Sequence, residues 1–190
     1  MKKHLTLLLF FLSVISAMAS QPTVLIVYHS ETGNTRVMAE AVYNGAMKAG
    51  DVNVVLKTVD EVETGDLLEA DAIIVGSPVY NANVTPQISA FISSWPFEGQ
   101  PLRDKLGAAF VTAGGVSSGE EITQMNILQS MLIFGMIVVG GPDWSTPFGA
   151  SGIRGDAFFP HDEPMHPGFL EKGSSLGLRV AETAKKMYNR

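Results

Sequence analysis

Residues 24–42 read VLIVYHSETGNTRVMAEAV, and this stretch decides the fold. Thr23 to Tyr28 is a near-continuous apolar run, the pattern of a strand covered on both faces. It passes into a turn dense in hydroxyls, Ser30-Glu31-Thr32-Gly33-Asn34-Thr35, and then directly into a stretch where Met38, Ala41, Val42 and Gly45 recur at helical spacing. A strand–turn–helix of this kind is an anion site. The turn aims backbone N–H groups and hydroxyls at one point, and the helix N-terminus adds positive potential. Ser30, Thr32 and Thr35 offer hydroxyl donors, Asn34 offers an amide, and Gly33 lets the backbone come close. Two other phosphate motifs do not fit. No G-x-x-x-x-G-K-[ST] supplies a lysine for triphosphate chemistry, and no G-x-G-x-x-G follows the strand.

Further apolar runs recur at Val52 to Lys57, Ala72 to Val75, Gly107 to Thr112 and Met136 to Val139. Val52 to Lys57 alternates more than the others, which suits an edge strand. Helices are predicted between the runs. The first ends at Gly50, where a left-handed residue is wanted. Asn83 to Trp95 is the next long one, with Thr85 capping and Pro86 in its first turn. Gly119 to Phe134 and Gly168 to Tyr188 follow, and Leu67 to Ala70 allows one short helix. Strands alternating with helices imply βαβ units and a parallel sheet. Gly140 to Pro167, rich in Gly, Pro and Asp, breaks the rhythm and is expected to be an irregular binding loop.

The chain has 190 residues, of which 1–19 are expected to be a signal peptide: Lys2 and Lys3 precede an apolar run from Leu5 to Ile15, and Ala17-Met18-Ala19 supplies small residues for cleavage. That run is short for a bilayer span, so no stable membrane anchor is expected after cleavage, and the product would be exported, periplasmic or secreted. Residues 20–190 then form a single domain. Losing Lys2 and Lys3 leaves 11 basic against 19 acidic residues, a charge of about −8. This balance argues against a nucleic acid partner. Zero cysteine excludes disulfides, thiolate catalysis and cysteine-ligated metals. His161-Asp162-Glu163 with His166 holds ligand-type residues, but Pro160, Pro164 and Pro167 deny it helical spacing, and no metal site is expected. Glu120 and Glu121, adjacent at a helix start, suit the helix dipole rather than paired acid–base work. No nucleophile elbow is expected, so a hydrolase is not indicated.

The run Ser-x-Thr-Gly-Asn-Thr at 30–35 resembles the phosphate loop of flavodoxins and related FMN proteins. The likeness extends over residues 20–190 and sharpens toward the WrbA-type NAD(P)H:quinone oxidoreductases. Gly76-Ser77-Pro78 with Asn83, Ala113-Gly114-Gly115, and Phe134-Gly135-Met136-Ile137-Val138 fall in the matching order. Pro147-Phe148-Gly149-Ala150-Ser151 is the feature most particular to that branch. The resemblance implies an α/β, flavodoxin-like, doubly wound five-stranded parallel sheet of order 2-1-3-4-5. It implies FMN with its phosphate on Ser30, Glu31, Thr32, Gly33, Asn34 and Thr35. The isoalloxazine ring would lie against Pro78, Val79, Tyr80 and Asn81, and against Thr112, Ala113, Gly114, Gly115, Val116 and Ser117. This agrees with ligand binding at the carboxyl ends of strands in open α/β sheets.

The implied activity is two-electron transfer through FMN from NAD(P)H to a quinone, with no catalytic acid or base among the side chains. The alternative is an exported electron carrier or FMN-binding module fed by a redox protein partner. Phe134 stands where the family's better-known members have a histidine near the flavin. The insertion after strand two is missing and the loop from Gly140 to Pro147 is shorter, which leaves open whether the chain forms a homo-oligomer, dimer or tetramer. Trp95 and Phe97 lie near the family's substrate-side tryptophan but read as core aromatics.

Overall fold

The structure is a computed structural model that describes residues 21–188; the expected signal peptide lies outside the described residues. Six strands are present: β1 (Thr23–Tyr28), β2 (Asn53–Thr58), β3 (Ala72–Pro78), β4 (Leu106–Ala113), β5 (Ile137–Val138) and β6 (Ala150–Ile153). The helices are α1 (Asn34–Met47), α2 (Thr64–Glu69), α3 (Pro86–Ser93), α4 (Glu120–Ile133) and α5 (Pro167–Tyr188).

All pairings are parallel, and the order is β2-β1-β3-β4-β5, as the resemblance implies. Val24 of β1 faces Val54 on one side and Ala72 on the other, so β1 lies inside the sheet while β2 forms an edge. Alternate residues feed two cores. Val24, Ile26, Ile74, Ala108 and Phe110 pack toward α1 and α5. Leu25, Val27, Ile73, Val75, Ala109 and Val111 pack toward α2, α3 and α4. Helices α1 and α5 touch backbone to backbone: a Cβ on Gly177 would lie 2.0 Å from the Val42 carbonyl, and one on Gly45 1.9 Å from that of Ser174. The contact fixes α1 and with it the turn that precedes it.

Helix α3 begins as its cap predicts, with the Thr85 hydroxyl accepting from the Ile88 N–H and Pro86 at the first turn. It starts later than Asn83, which belongs instead to the turn bridging to Tyr80. Trp95 is 4% exposed and stacks edge-on against Phe91 and Phe134, a core aromatic as expected, whereas Phe97 is 55% exposed at the margin of the same cluster.

Two expectations change along 136–167. The fifth strand shrinks to Ile137–Val138, because the chain leaves the sheet at Gly140, which packs against the Pro147 carbonyl. The excursion expected to be irregular returns as β6. There Ala150 pairs with Phe110 and Ile153 with Ala113, extending the sheet along the upper half of β4. Among the described residues no helix is long and apolar enough to cross a membrane.

Candidate functional site

The carboxyl ends of β1, β3, β4 and β6 converge on one cleft of about 140 Å³. Its walls are Glu31, Thr32, Asn34 and Thr35 from the β1–α1 turn, Pro78, Val79 and Tyr80 after β3, and Thr112, Ala113 and Gly114 at the end of β4. Arg154 and His161, from beyond β6, complete it. The strands set this meeting point, since β1 passes between β2 and β3 and each strand delivers its following turn to the same edge.

The β1–α1 turn has the geometry of an anion binder. Gly33 caps α1 at φ +87°, and a Cβ there would meet no protein atom within 4 Å. Among the described residues, no backbone N–H from Glu31 to Thr35 donates to a protein acceptor. They are the free donors that a helix start presents. The Ser30 hydroxyl accepts from the Arg36 N–H at 3.3 Å, tying the turn to α1. The Thr35 hydroxyl is buried and shares a 2.8 Å hydrogen bond with that of Thr112, joining the turn to β4. The Asn34 side-chain amide oxygen accepts from Arg154 Nη1 at 2.9 Å.

The second wall is held from below. The Val79 N–H donates to the Thr112 carbonyl at 2.8 Å, and the Thr85 N–H to the Ser77 hydroxyl at 3.2 Å. Asn81 and Ala82 take positive φ, turning the chain sharply after Tyr80. The Tyr80 phenol donates to the Glu31 carboxylate at 2.7 Å, so it reaches across the cleft to the phosphate-type turn. That bond to an anion, with burial adding to it, raises the phenol above its ordinary pKa.

Gly115, Val116 and Ser117 stand beyond the cleft wall. Val116 and Ser117 line an adjoining hollow of about 400 Å³ with Glu120, Glu121, Ile122 and Ser151. Asp156 straps this segment down: its carboxylate accepts from the Val116 N–H at 3.1 Å and from the Phe158 and Phe159 N–H groups at 2.9 Å. The N–H of Val116 foremost holds that carboxyl below the ordinary aspartate pKa. Glu120 accepts from the Ser117 N–H at 3.1 Å, the helix-start role expected of it.

One expectation is corrected here. Gly115-Val116-Ser117-Ser118-Gly119 does fit G-x-S-x-G between a strand and a helix, and Ser117 has φ +60°. Among the described residues no histidine hydrogen-bonds to either serine, so the turn lacks the general base a nucleophile needs. Phe134 ends α4, about 20 Å along that helix from the cleft end, and packs on Trp95 rather than on the cleft. Of the histidine cluster, His161 enters the cleft wall, and among the described residues no group of three or more His, Asp or Glu could hold a metal ion. Arg154 and Asp156 escaped the sequence reading, and His161 was weighed there only as a metal-ligand candidate. No local signal marks Arg154 and Asp156, because the strand Ala150–Ile153 that delivers them is short and weak in strand-forming residues.

The site suits a flat ring carrying a phosphate. Free N–H donors and a buried hydroxyl stand at one end, and two backbone-lined walls at the other. Residues 64–151, which span α2 to the start of β6, match the family described as NADPH-dependent FMN reductase. A flavodoxin from Clostridium saccharobutylicum is 30% identical over 86% of this chain and 98% of its own. An NAD(P)H dehydrogenase (quinone) from Azorhizobium caulinodans is 37% identical over 87% of this chain and 98% of its own. Among solved structures, the WrbA-like flavodoxin from Agrobacterium tumefaciens superposes with a TM-score of 0.70 at 26% identity, covering 87% of this chain and 98% of that one. Fold and cleft together define a flavin-nucleotide protein of the doubly wound α/β class. Within that class, the chain belongs to the flavodoxin-like FMN family, close to its WrbA-type members.

Proposed function

We propose that this chain is an FMN-dependent oxidoreductase of the NAD(P)H:quinone type that works outside the cytoplasm. The observation carrying the chemistry is the cleft itself, where the turn after β1 meets Pro78 to Tyr80 and Thr112 to Gly114. Bound there, FMN would accept a hydride from a nicotinamide and hand two electrons to a quinone, which takes up two protons to become a hydroquinone. The residues bind and orient. Ser30, Thr32, Asn34 and Thr35 would hold the phosphate with the free N–H groups of the turn. Pro78, Val79 and Tyr80 would flank the ring, and the backbone of Thr112 to Ser117 would face its pyrimidine edge. Relatives named NAD(P)H dehydrogenase (quinone) support this assignment of donor and acceptor. The full chain loaded with FMN should oxidise NADH or NADPH in the presence of a benzoquinone, followed by nicotinamide absorbance. FMN binding without quinone-dependent oxidation would sink the enzymatic reading.

A second reading rests on the leader-like sequence Lys2 to Ala19. Nicotinamide nucleotides belong inside the cell, so an exported chain would receive electrons from a redox protein instead. The flavodoxin relatives fit such a carrier, and a charge of about −8 would steer a basic partner. Without a twin-arginine signal, the chain would cross the membrane unfolded and take up FMN afterwards. Expression of the full gene, followed by fractionation and terminal sequencing, should give a cleaved exported product that binds added FMN. An uncleaved, FMN-loaded chain confined to the cytoplasm would overturn the export proposal.

A further inference from the structure

We infer that Arg154 supplies the cation that recognises the phosphate of the flavin nucleotide, a part that the 30–35 turn cannot play with its own side chains. The inference rests on the FMN reading of the cleft and goes beyond it. The turn contains one charged side chain, the acidic Glu31, and the chain as a whole is acidic. Arg36, next along, is exposed and spends its guanidinium on Glu40 at 3.2 Å. Of the residues lining the cleft, Arg154 alone carries a permanent positive charge.

Its placement is fixed from three sides. The Arg154 N–H donates to the Ala113 carbonyl at 3.0 Å, anchoring the backbone where β6 leaves β4. Nη1 donates to the Asn34 side-chain oxygen at 2.9 Å, and Nη2 donates to the His161 carbonyl at 2.7 Å. Nε is buried and has no protein partner among the described residues. A buried N–H left unpaired is costly, and a guanidinium offers five donors in a planar fork suited to phosphate oxygens. Nη1 holds the fork against the turn and Nη2 holds it against the His161 carbonyl, so three of the five N–H donors of this cleft-lining residue have no protein partner among the described residues. The Arg154–Asn34 bond also sets the Asn34 amide, so a residue 120 positions away shapes the turn.

The test compares FMN with riboflavin, which lacks the phosphate. Full-chain apoprotein is titrated with each by quenching of flavin fluorescence, for wild type, Arg154→Gln and Arg154→Lys. Arg154→Gln should weaken FMN about ten- to a hundredfold and leave riboflavin within about twofold. Its FMN affinity should also fall less steeply with added salt than that of wild type, since one charge pair is gone. Arg154→Lys should retain most of the salt slope and lie between the two in FMN affinity. Equal losses for FMN and riboflavin, or an unchanged FMN affinity in Arg154→Gln, would overturn the inference. If Arg154→Gln does not fold, the lysine variant decides: a retained FMN-over-riboflavin preference supports the charge, and its disappearance refutes it. Wild type that binds neither flavin would instead refute the FMN reading itself, while an intact wild-type preference that survives Arg154→Gln refutes only the role of Arg154.

Discussion

The turn at 30–35 and the excursion from 140 to 167 line the same cleft, yet they are built by opposite means. The turn is local: one strand feeds it, one helix follows it, and its hydroxyls and free N–H groups lie within six consecutive residues. The excursion is held by distant contacts. β6 docks on β4, Arg154 reaches Asn34, and Asp156 reaches Val116 across 40 positions. Backbone donors come from a contiguous motif, whereas the cation beside them, Arg154, comes from a segment placed by tertiary packing.

The same substitution in the two regions should therefore cost very different amounts. At Gly149, φ is +127° and an added Cβ would lie 1.9 Å from the Ala109 carbonyl. Gly149→Ala must push β6 off β4, and should destabilise by about 3 kcal/mol or more. That is a loss of roughly 6–12 °C in Tm for a domain of this size. At Gly33 an added Cβ enters open space, leaving only the positive-φ penalty. Gly33→Ala should cost roughly 1–2 kcal/mol. Thermal unfolding of both variants checks this, and equal losses would erase the contrast.

Thr35 belongs to both kinds of construction, because its motif hydroxyl is bonded to Thr112 on β4. Thr35→Val should weaken FMN about tenfold or more, with riboflavin nearly unchanged. It should also lower stability by about 1–3 kcal/mol, since the Thr112 hydroxyl is left buried and unpaired. Thr35→Val with Thr112→Val should recover part of that stability but none of the FMN affinity. Parallel losses for both flavins would reduce Thr35 to a packing residue.

What could be read from sequence follows the same line. β1, the turn and α1 were legible because strand hydrophobicity, turn chemistry and helical spacing sit side by side in 24–42. Thr85 and Pro86 marked α3 for the same reason. β6 was hidden: Ala-Ser-Gly-Ile is four residues long and carries little strand propensity, and it is a strand because Phe110 to Ala113 offers an unpaired edge. Met136 to Val139 had the better strand composition, yet only two residues pair, since the glycines at 140 and 141 fold tightly against Pro147 and Thr146. Arg154 could not be seen as a site residue, because nothing near it in sequence points to Asn34. Tyr80 was legible as a cleft residue, while its bond to Glu31 was not.

The smallest expected effect tests whether the excursion really governs the ring-side segment. Asp156 holds the Val116 N–H and closes its own turn on Phe158 and Phe159. Those N–H donors favour the carboxylate, so its pKa is lower in the folded chain than in the unfolded one. A group depressed in this way binds its proton more readily when unfolded. Its contribution is therefore fully present above the ordinary aspartate value of about 3.9 and fades as pH falls through the lower folded value. Amide exchange at Val116 should be slower in wild type than in Asp156→Asn at about pH 6, where the carboxylate accepts more strongly than an amide oxygen. The ratio between the two proteins should shrink toward one as pH falls past the ordinary aspartate value and through the lower folded one, where the wild-type carboxyl takes up its proton. Comparing the two proteins at each pH cancels the intrinsic pH dependence of exchange. A ratio that stays constant across that range would mean that packing, not the Asp156 charge, ties the 113–117 segment to the excursion, and the contrast drawn between the two regions would lose its electrostatic half.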